Sequence, residues 1–312
     1  MDQPYRGRFA PSPTGPLHFG SLVAAAGSYL DARSHQGEWL VRIEDVDTAR
    51  CSSEWSADIL RTLEVFGFEC DGEVVYQSSP DRQQAYSAAL GRLTEKGVLY
   101  PCSCSRREIL DSQAGPSADH SARYPGTCRS GLGEDKTTRS WRLRVDNDPV
   151  GFSDRFCGFF EQRLESSIGD FVLKRSDGLY AYQLAVVVDD SEQGITDVVR
   201  GADLLDSTPR QIYLQRQLGV RQPRYLHLPV VVNTLGQKLS KQTGAEALRG
   251  TDTITILCDA FAFLGLAAPV EVRNAKLAEV WDWAIDAWVA LTEACGERYP
   301  DERANHDAAT TP

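Results

Sequence analysis

Apolar and polar positions along this chain follow two rhythms, and the points where they change mark its elements. "EWLVRIEDVD" (38–47) opens apolar and β-rich and closes acidic, as a buried strand does at its exposed end. "SSEWSADILRTLEVF" (52–66) spaces Trp55, Ile59, Leu60 and Leu63 at helical intervals. A second helix is predicted over 80–96, where Tyr86, Leu90 and Leu93 recur and Gly97 follows as a stop signal. Ahead of these stands "RFAPSPTGPLHFGSLVAAAGSYL" (8–30), a Pro- and Gly-rich turn running into an apolar helix with His18 at the junction. Strand and helix alternate, which predicts an α/β, doubly wound sheet.

The rhythm breaks near residue 100. "YPCSCSRREILDSQAGPSADHSARYPGTCRSGLGED" is rich in Ser, Gly, Pro and Cys and reads as an insertion, with β structure at 140–147 and around Phe152–Phe160. Regular signals return in "GDFVLKRSDGLYAYQLAVVVDDSEQGITDVVRGADLL". There Ser176-Asp177-Gly178 marks a hairpin turn and "ITDVVRG" a short strand; "TPRQIYLQRQLG" follows as a helix capped by Gly219. "RYLHLPVVVN" is a buried strand leading into "TLGQKLSKQTGAEALRG". Residues 251–298 carry Leu, Ile, Phe and Trp at helical spacing, and the tail 299–312 lacks apolar anchors and is expected to be disordered. The expected organisation is a catalytic unit of 1–98 and 166–245, an insertion of 99–165, and a helical extension of 246–298.

Composition narrows the class. The 42% hydrophobic and 25% charged fractions are those of a globular protein. No apolar run approaches the ~18–20 residues of a membrane span, and "MDQPYRGRF" has no signal-type stretch, so a cytoplasmic protein away from membranes is expected. The net charge of −11 argues against a protein that coats nucleic acid and confines any RNA contact to one face. Lys and Arg around 129–144 and 210–224 are the candidates for that face.

Two stretches carry chemistry. A turn followed by a helix N-terminus offers free N–H groups to an anion, Gly20 permits close approach, and His18 can meet phosphate oxygens. "KLSKQ" (238–242) sets Lys238 and Lys241 around Ser240, two cations able to reach one polyphosphate. With these residues the sequence resembles the class I aminoacyl-tRNA synthetases, "LHFG" standing for the first signature and "KLSKQ" for the second. Within them it looks like the glutamyl branch, because "RFAPSPTGPLHFG", "VRIEDVD", "DGLYAYQLAVVVDD" and "VVRGADLLDSTPRQIYL" match that branch in order over roughly residues 5–245. Ser21 replaces a second signature histidine, as is common among glutamyl enzymes.

After "KLSKQ" about 70 residues remain (242 to 312), too few for the anticodon-gripping domains of full-length glutamyl enzymes. The chain is therefore similar to the truncated glutamyl-Q tRNA(Asp) synthetases. The resemblance implies a Rossmann-like doubly wound parallel sheet with no anticodon-binding domain. It implies activation of L-glutamate by ATP with Mg²⁺, without tRNA, and transfer to queuosine in the anticodon stem-loop of tRNA(Asp). It implies catalytic and nucleotide roles for His18, Lys238 and Lys241, with Gly20 and Ser240 beside ATP. Glutamate would meet Arg8 and Arg200 at its side-chain carboxylate and Glu44 at its ammonium. Ser12, Tyr182 and the loop residues Phe9, Ala10 and Pro11 would complete the pocket, and Asp45 and Asp47 are alternatives to Glu44. The competing readings are a truncated synthetase charging a tRNA 3′ end and a non-catalytic paralogue. A monomer is expected.

Cys102, Cys104 and Cys128 gather three of the eight cysteines into one segment. Three thiolates and one further ligand make a tetrahedral Zn²⁺ site, and reduced thiols without metal are the alternative. His120 is the chemically easier fourth ligand; the resemblance, with its Cys-x-Cys…Tyr-x-x-x-Cys pattern, implies Tyr124 and one structural zinc per chain. Cys51, Cys70, Cys157, Cys258 and Cys295 are scattered and read as packing residues.

Overall fold

A computed structural model of the chain describes residues 3–111, 123–232, 247–248 and 252–296. Strand β1 (Arg6–Phe9) enters the Pro-rich turn and helix α1 (Phe19–Ser34), followed by β2 (Glu38–Ile43), α2 (Ser53–Val65), β3 (Val75–Tyr76) and α3 (Pro80–Glu95). The irregular stretch holds β4 (Leu99–Cys102), α4 (Arg106–Asp111), β5 (Ser140–Leu143), β6 (Pro149–Asp154), β7 (Gly158–Arg163), the single turn α5 (Leu164–Ser167) and β8 (Phe171–Lys174). Next come α6 (Tyr182–Glu192), β9 (Asp197–Gly201), a 3-10 helix (Ala202–Ser207), α7 (Thr208–Leu218) and β10 (Arg224–Leu228). Helices α8 (Thr253–Phe263), α9 (Val270–Arg273) and α10 (Leu277–Gly296) complete the described chain.

Local signals act where the sequence puts them. The Ser52 hydroxyl accepts the Glu54 N–H and caps α2. Pro80 opens α3, and Gly219 ends α7 in the left-handed conformation that glycine adopts freely, at φ +67°.

The strands β1, β2 and β3 run parallel. On the other side of β1 stands β9, for the Thr196 N–H donates to the Arg6 carbonyl at 3.0 Å. β10 pairs parallel with β9, and β6 lies parallel beside β10 with β7 antiparallel at its edge. Two of the four strands of the expected insertion thus join this sheet: the β6–β7 hairpin extends it, while β4 and β5 pair antiparallel with β8 in a separate sheet.

Successive strand residues point to opposite faces. Val199, Leu226 and Leu228 enter a core with Leu22 and Leu30 of α1, Phe261 of α8 and Trp288 of α10. Val198 and Tyr225 enter a second core with Leu93 of α3, Leu184 of α6 and Ile212 of α7. Helices therefore cover both faces. α1 lies close on the sheet because Gly27 has no side chain; a Cβ there would meet Leu228 Cδ1 at 2.4 Å. Asp31, fully buried in α1, accepts from Tyr5 and from Trp288 Nε1 and pairs with Arg155, tying α10 and the β6–β7 turn to the first helix. None of the described helices is long and apolar enough to cross a membrane. The expected disordered tail lies outside the described residues.

Candidate active site

A cleft of about 680 Å³ opens at the carboxyl ends of β1, β2, β9 and β10. Parallel α/β sheets bind ligands there, because strand ends and helix N-termini converge without side chains to fill the crevice. From β1 and the turn after it come Arg8, Phe9, Ala10, Pro11 and Ser12. From the start of α1 come His18, Gly20 and Ser21, and Glu44, Tyr182 and Arg200 arrive from three other elements. The Glu44 N–H donates to the Pro11 carbonyl at 2.9 Å, which fastens the Pro-rich turn to the end of β2.

His18 is the N-cap of α1. Its Nδ1 accepts the Ser21 N–H at 3.2 Å, so Nδ1 is unprotonated and the ring proton sits on Nε2. Ala247 bridges back to His18, and Val231 lines the cleft. Lys238, Ser240 and Lys241 fall between these two positions in the sequence and lie outside the described residues.

One wall of the cleft is a buried charge cluster. Arg8 holds Asp190 with two nitrogens, at 3.1 and 3.3 Å. Arg42, with no exposed surface, reaches Asp190 at 2.8 Å, Glu44 at 3.3 Å and Asp189 at 3.8 Å. Gln77 and the Tyr86 hydroxyl also donate to Asp189. Burial opposes the charge on Asp190, yet Arg8 and Arg42 outweigh it and hold that carboxyl below the usual range. Burial pushes Glu44 and Asp189 up, against the pull of Arg42. Asp190 takes both Arg8 and Arg42, Asp189 also takes Arg82 at 3.3 Å, and Glu44, the carboxylate of the three that lines the cleft, is met by Arg42 alone at 3.3 Å. A carboxylate so placed at the cleft suits a cation, such as an ammonium group.

Arg200, in the lining of the same cleft, has the reverse setting. Arg200 donates to Thr208 Oγ1 at 2.7 Å, to His227 Nε2 at 3.2 Å and to the Tyr182 hydroxyl at 3.5 Å, all uncharged partners. It is 6% exposed and lies 5.7 Å from the Tyr225 ring centroid. A buried guanidinium so placed suits a carboxylate. Arg8 differs from the sequence expectation in this respect: it stands in the same cleft, but Asp190 occupies its fork.

The three cysteines of the irregular stretch also converge. Their Sγ atoms lie within 4.8 Å of one another, and Cys104 and Cys128 are 3.6 Å apart. A tetrahedral site with metal–sulfur bonds of about 2.3 Å needs sulfurs about 3.8 Å apart, so the set fits a metal ion. The Tyr124 hydroxyl lies 3.4 Å from Cys102 Sγ and accepts the Cys128 N–H at 2.9 Å. Tyr124 is seated by Gly169 (φ +75°), where a Cβ would come within 2.2 Å of the Tyr124 carbonyl oxygen. Burial opposes the Cys128 thiolate, but hydrogen bonds from Ser103 and Tyr124 bring its pKa down to about 7. Burial and the neighbouring thiols push Cys104 up to about 11. His120 lies outside the described residues.

Residues 5–253 match the family of class I tRNA synthetases (E and Q), catalytic domain. The chain is 58% identical over 288 residues to the glutamyl-Q tRNA(Asp) synthetase of Dechloromonas aromatica (strain RCB), covering 92% of this chain and 95% of that one. The chain belongs to the glutamyl-Q tRNA(Asp) synthetase family of class I synthetases. It is 55% identical over 293 residues to the family member from Janthinobacterium sp. (strain Marseille), with 92% and 98% coverage. It is also similar to the crystal structure of a glutamate tRNA ligase from Elizabethkingia meningosepticum CCUG26117 in complex with its amino acid. There the identity is 27% and the TM-score 0.66, over 78% of this chain and 53% of that one. The chain spans about half the length of that ligase and nearly all of its curated relatives. Like other members of this synthetase family it is a ligase-type enzyme.

Of the buried charged and polar residues packed around the cleft, sequence reasoning names none of Arg42, Asp189, Asp190, Asp154 and His227. A signal was present for three of them. Arg42 interrupts an apolar strand, and Asp189-Asp190 follow "AVVV" inside a helix, where unpaired charge is not tolerated. The arginines offered for an RNA face are largely engaged elsewhere. Arg129 binds Glu165 and Asp170, Arg142 stacks 3.9 Å from the Tyr124 ring centroid, and Arg224 pairs with Asp197.

Proposed function

We propose that this cleft activates L-glutamate with ATP in the absence of tRNA, and that the glutamate then passes to queuosine at the wobble position of tRNA(Asp). The reading is carried by the presence of Glu44 and Arg200, a carboxylate and a guanidinium, in the lining of one cleft, a pair matched to a zwitterion with a second carboxylate. Glu44 takes the α-ammonium. Arg200 takes the side-chain carboxylate, Tyr182 adds a hydrogen bond, and Arg8 with Ser12 and the Phe9–Pro11 loop shapes the pocket.

In the first step an α-carboxylate oxygen attacks the α-phosphorus of ATP. The bond to the bridging oxygen breaks, and pyrophosphate leaves. His18, with its proton on Nε2, donates to phosphate oxygens beside Gly20. Lys238 and Lys241 with Ser240, carried by the family signature, neutralise the charge that gathers on the leaving group. Mg²⁺, entering as part of the ATP substrate, would share that charge. In the second step a hydroxyl of the queuosine cyclopentenediol attacks the carbonyl carbon, the bond from that carbon to the phosphate oxygen breaks, and AMP leaves as its phosphate takes up the hydroxyl proton. Positioning and charge stabilisation carry both steps.

We read residues 1–98 and 166–245 as the catalytic unit, 99–165 as an insertion whose β6–β7 hairpin extends the catalytic sheet, and 246–298 as a helical extension. In that insertion Cys102, Cys104, Cys128 and Tyr124 hold one structural Zn²⁺, which fixes the strand ends around it. Purified without chelator, the protein is expected to contain one equivalent of zinc. Stripping the metal should lower the Tm by several degrees and leave the glutamate KM unchanged; metal-free protein of undiminished Tm would contradict the role.

Glutamate-dependent ATP–pyrophosphate exchange, run with and without tRNA, tests the first step; exchange that requires tRNA overturns it. The second step is read with two substrates. tRNA(Asp) lacking its terminal adenosine should still accept glutamate, and queuosine-free tRNA(Asp) should not. The reverse pattern would mean charging of the 3′ end.

A further inference from the structure

We infer that His227 and Asp154 are positioning residues for Arg200, a pair that orients the guanidinium reading the substrate's side-chain carboxylate. The inference rests on the glutamate-activating reading of the cleft. Neither residue belongs to the cleft lining. His227 is fully buried on β10 and Asp154 is 2% exposed at the end of β6.

The hydrogen bonds run in one direction. Asp154 Oδ2 lies 2.6 Å from His227 Nδ1, and a carboxylate only accepts, so Nδ1 carries the proton. Arg200 Nε lies 3.2 Å from His227 Nε2, and a guanidinium only donates, so Nε2 is the bare acceptor. The imidazole is therefore neutral and held in one tautomer, as burial and the nearby Arg200 charge also require. Asp154 is itself fixed, because its Oδ1 accepts the N–H groups of Phe156 at 3.0 Å and Cys157 at 2.8 Å. Thr208 takes a second face of the guanidinium at 2.7 Å. Three of the five Arg200 N–H groups are thus committed to Thr208, His227 and Tyr182, which sets the plane of the fork.

The irregular stretch supplies this relay. The β6–β7 hairpin leaves the β4–β5–β8 sheet and docks on β10, and the turn it brings carries Asp154 to His227.

The test is Asp154→Asn, which keeps the volume and an oxygen for the Phe156 and Cys157 N–H groups. Its amide donates to Nδ1, the ring proton moves to Nε2, and that N–H then opposes the Arg200 N–H. Glutamate KM in pyrophosphate exchange should rise about tenfold, the effect of one lost hydrogen bond to a charged group. kcat and the ATP KM should stay within about twofold, since the fork and not the reacting phosphate is disturbed. Nitrogen NMR of His227 should read the Nδ1–H tautomer in the wild type and Nε2–H in the variant. His227→Gln, whose amide can both donate and accept, should lie nearer the wild-type KM than His227→Phe. A folded Asp154→Asn protein with wild-type glutamate KM overturns the inference. So does wild-type His227 carrying its proton on Nε2, a measurement that needs no variant to fold. Wild-type protein without glutamate exchange would instead sink the functional reading, and the tautomer would still be measurable.

Discussion

Arg200→Ala is expected to abolish glutamate-dependent pyrophosphate exchange, lowering kcat/KM by about a thousandfold or more. Two charge-assisted hydrogen bonds to a carboxylate, each about 1.5–3 kcal/mol, set that scale. The neighbours make the effect hard to rescue. Thr208, His227 and Tyr182 are uncharged, so removing Arg200 takes away the positive charge there. Arg8 cannot replace it while Asp190 holds its fork at 3.1 and 3.3 Å. Arg200→Lys keeps the charge but not the planar fork and should fall between the two. Folding should survive, because the truncation leaves no unpaired charge behind it. A melting curve near the wild type with exchange lost is the expected pair of results; near-normal exchange would remove Arg200 from the site.

Much of the sheet is visible in the sequence because local rules act alone there. The helical spacing of Trp55, Ile59 and Leu63, the Ser52 cap and the Gly219 stop need no distant partner. The residues of the Pro-rich turn, with Glu44, Tyr182 and Arg200, sit at strand and helix ends that a parallel sheet gathers at one edge. What escapes is pairing. Nothing within "VGFSD" announces that β6 will lie against β10, where Asp154 pairs with Tyr225 71 residues later, and so the Asp154–His227 contact cannot be read locally. Arg42 meets Asp190 across 148 positions, so the apolar runs around Arg42, Asp189 and Asp190 mark each as buried but not as partners in one cluster. Arg8 shows the same limit from the other side: its place in the cleft is legible, its partner is not.

Arg42→Met is expected to destabilise the protein by about 3–5 kcal/mol, the range for removing one partner of a buried ion pair. The substitution preserves length and apolar packing but leaves Asp189, Asp190 and Glu44 facing one another around Arg8, with Arg82 reaching Asp189 from the rim at 3.3 Å. The loss should depend on pH, and the direction follows from the shifts already present. Asp190 has a depressed pKa, so its contribution exists above its unfolded pKa and disappears as pH falls through the folded value. Glu44 and Asp189 are raised, so their contribution is full below the unfolded pKa and is lost as pH rises through the folded value. Without Arg42, the guanidinium that opposes those two upward shifts is gone, and both should titrate higher still. The variant should therefore regain Tm as pH is lowered from about 8 toward 5, where its carboxyls bind protons that the unfolded chain does not. Glutamate binding should not recover with it, because a protonated Glu44 no longer attracts an ammonium. Thermal unfolding across that range, paired with exchange kinetics, separates the two effects. A deficit that stays constant with pH would show that Arg42 acts by packing, not by neutralising the three carboxylates.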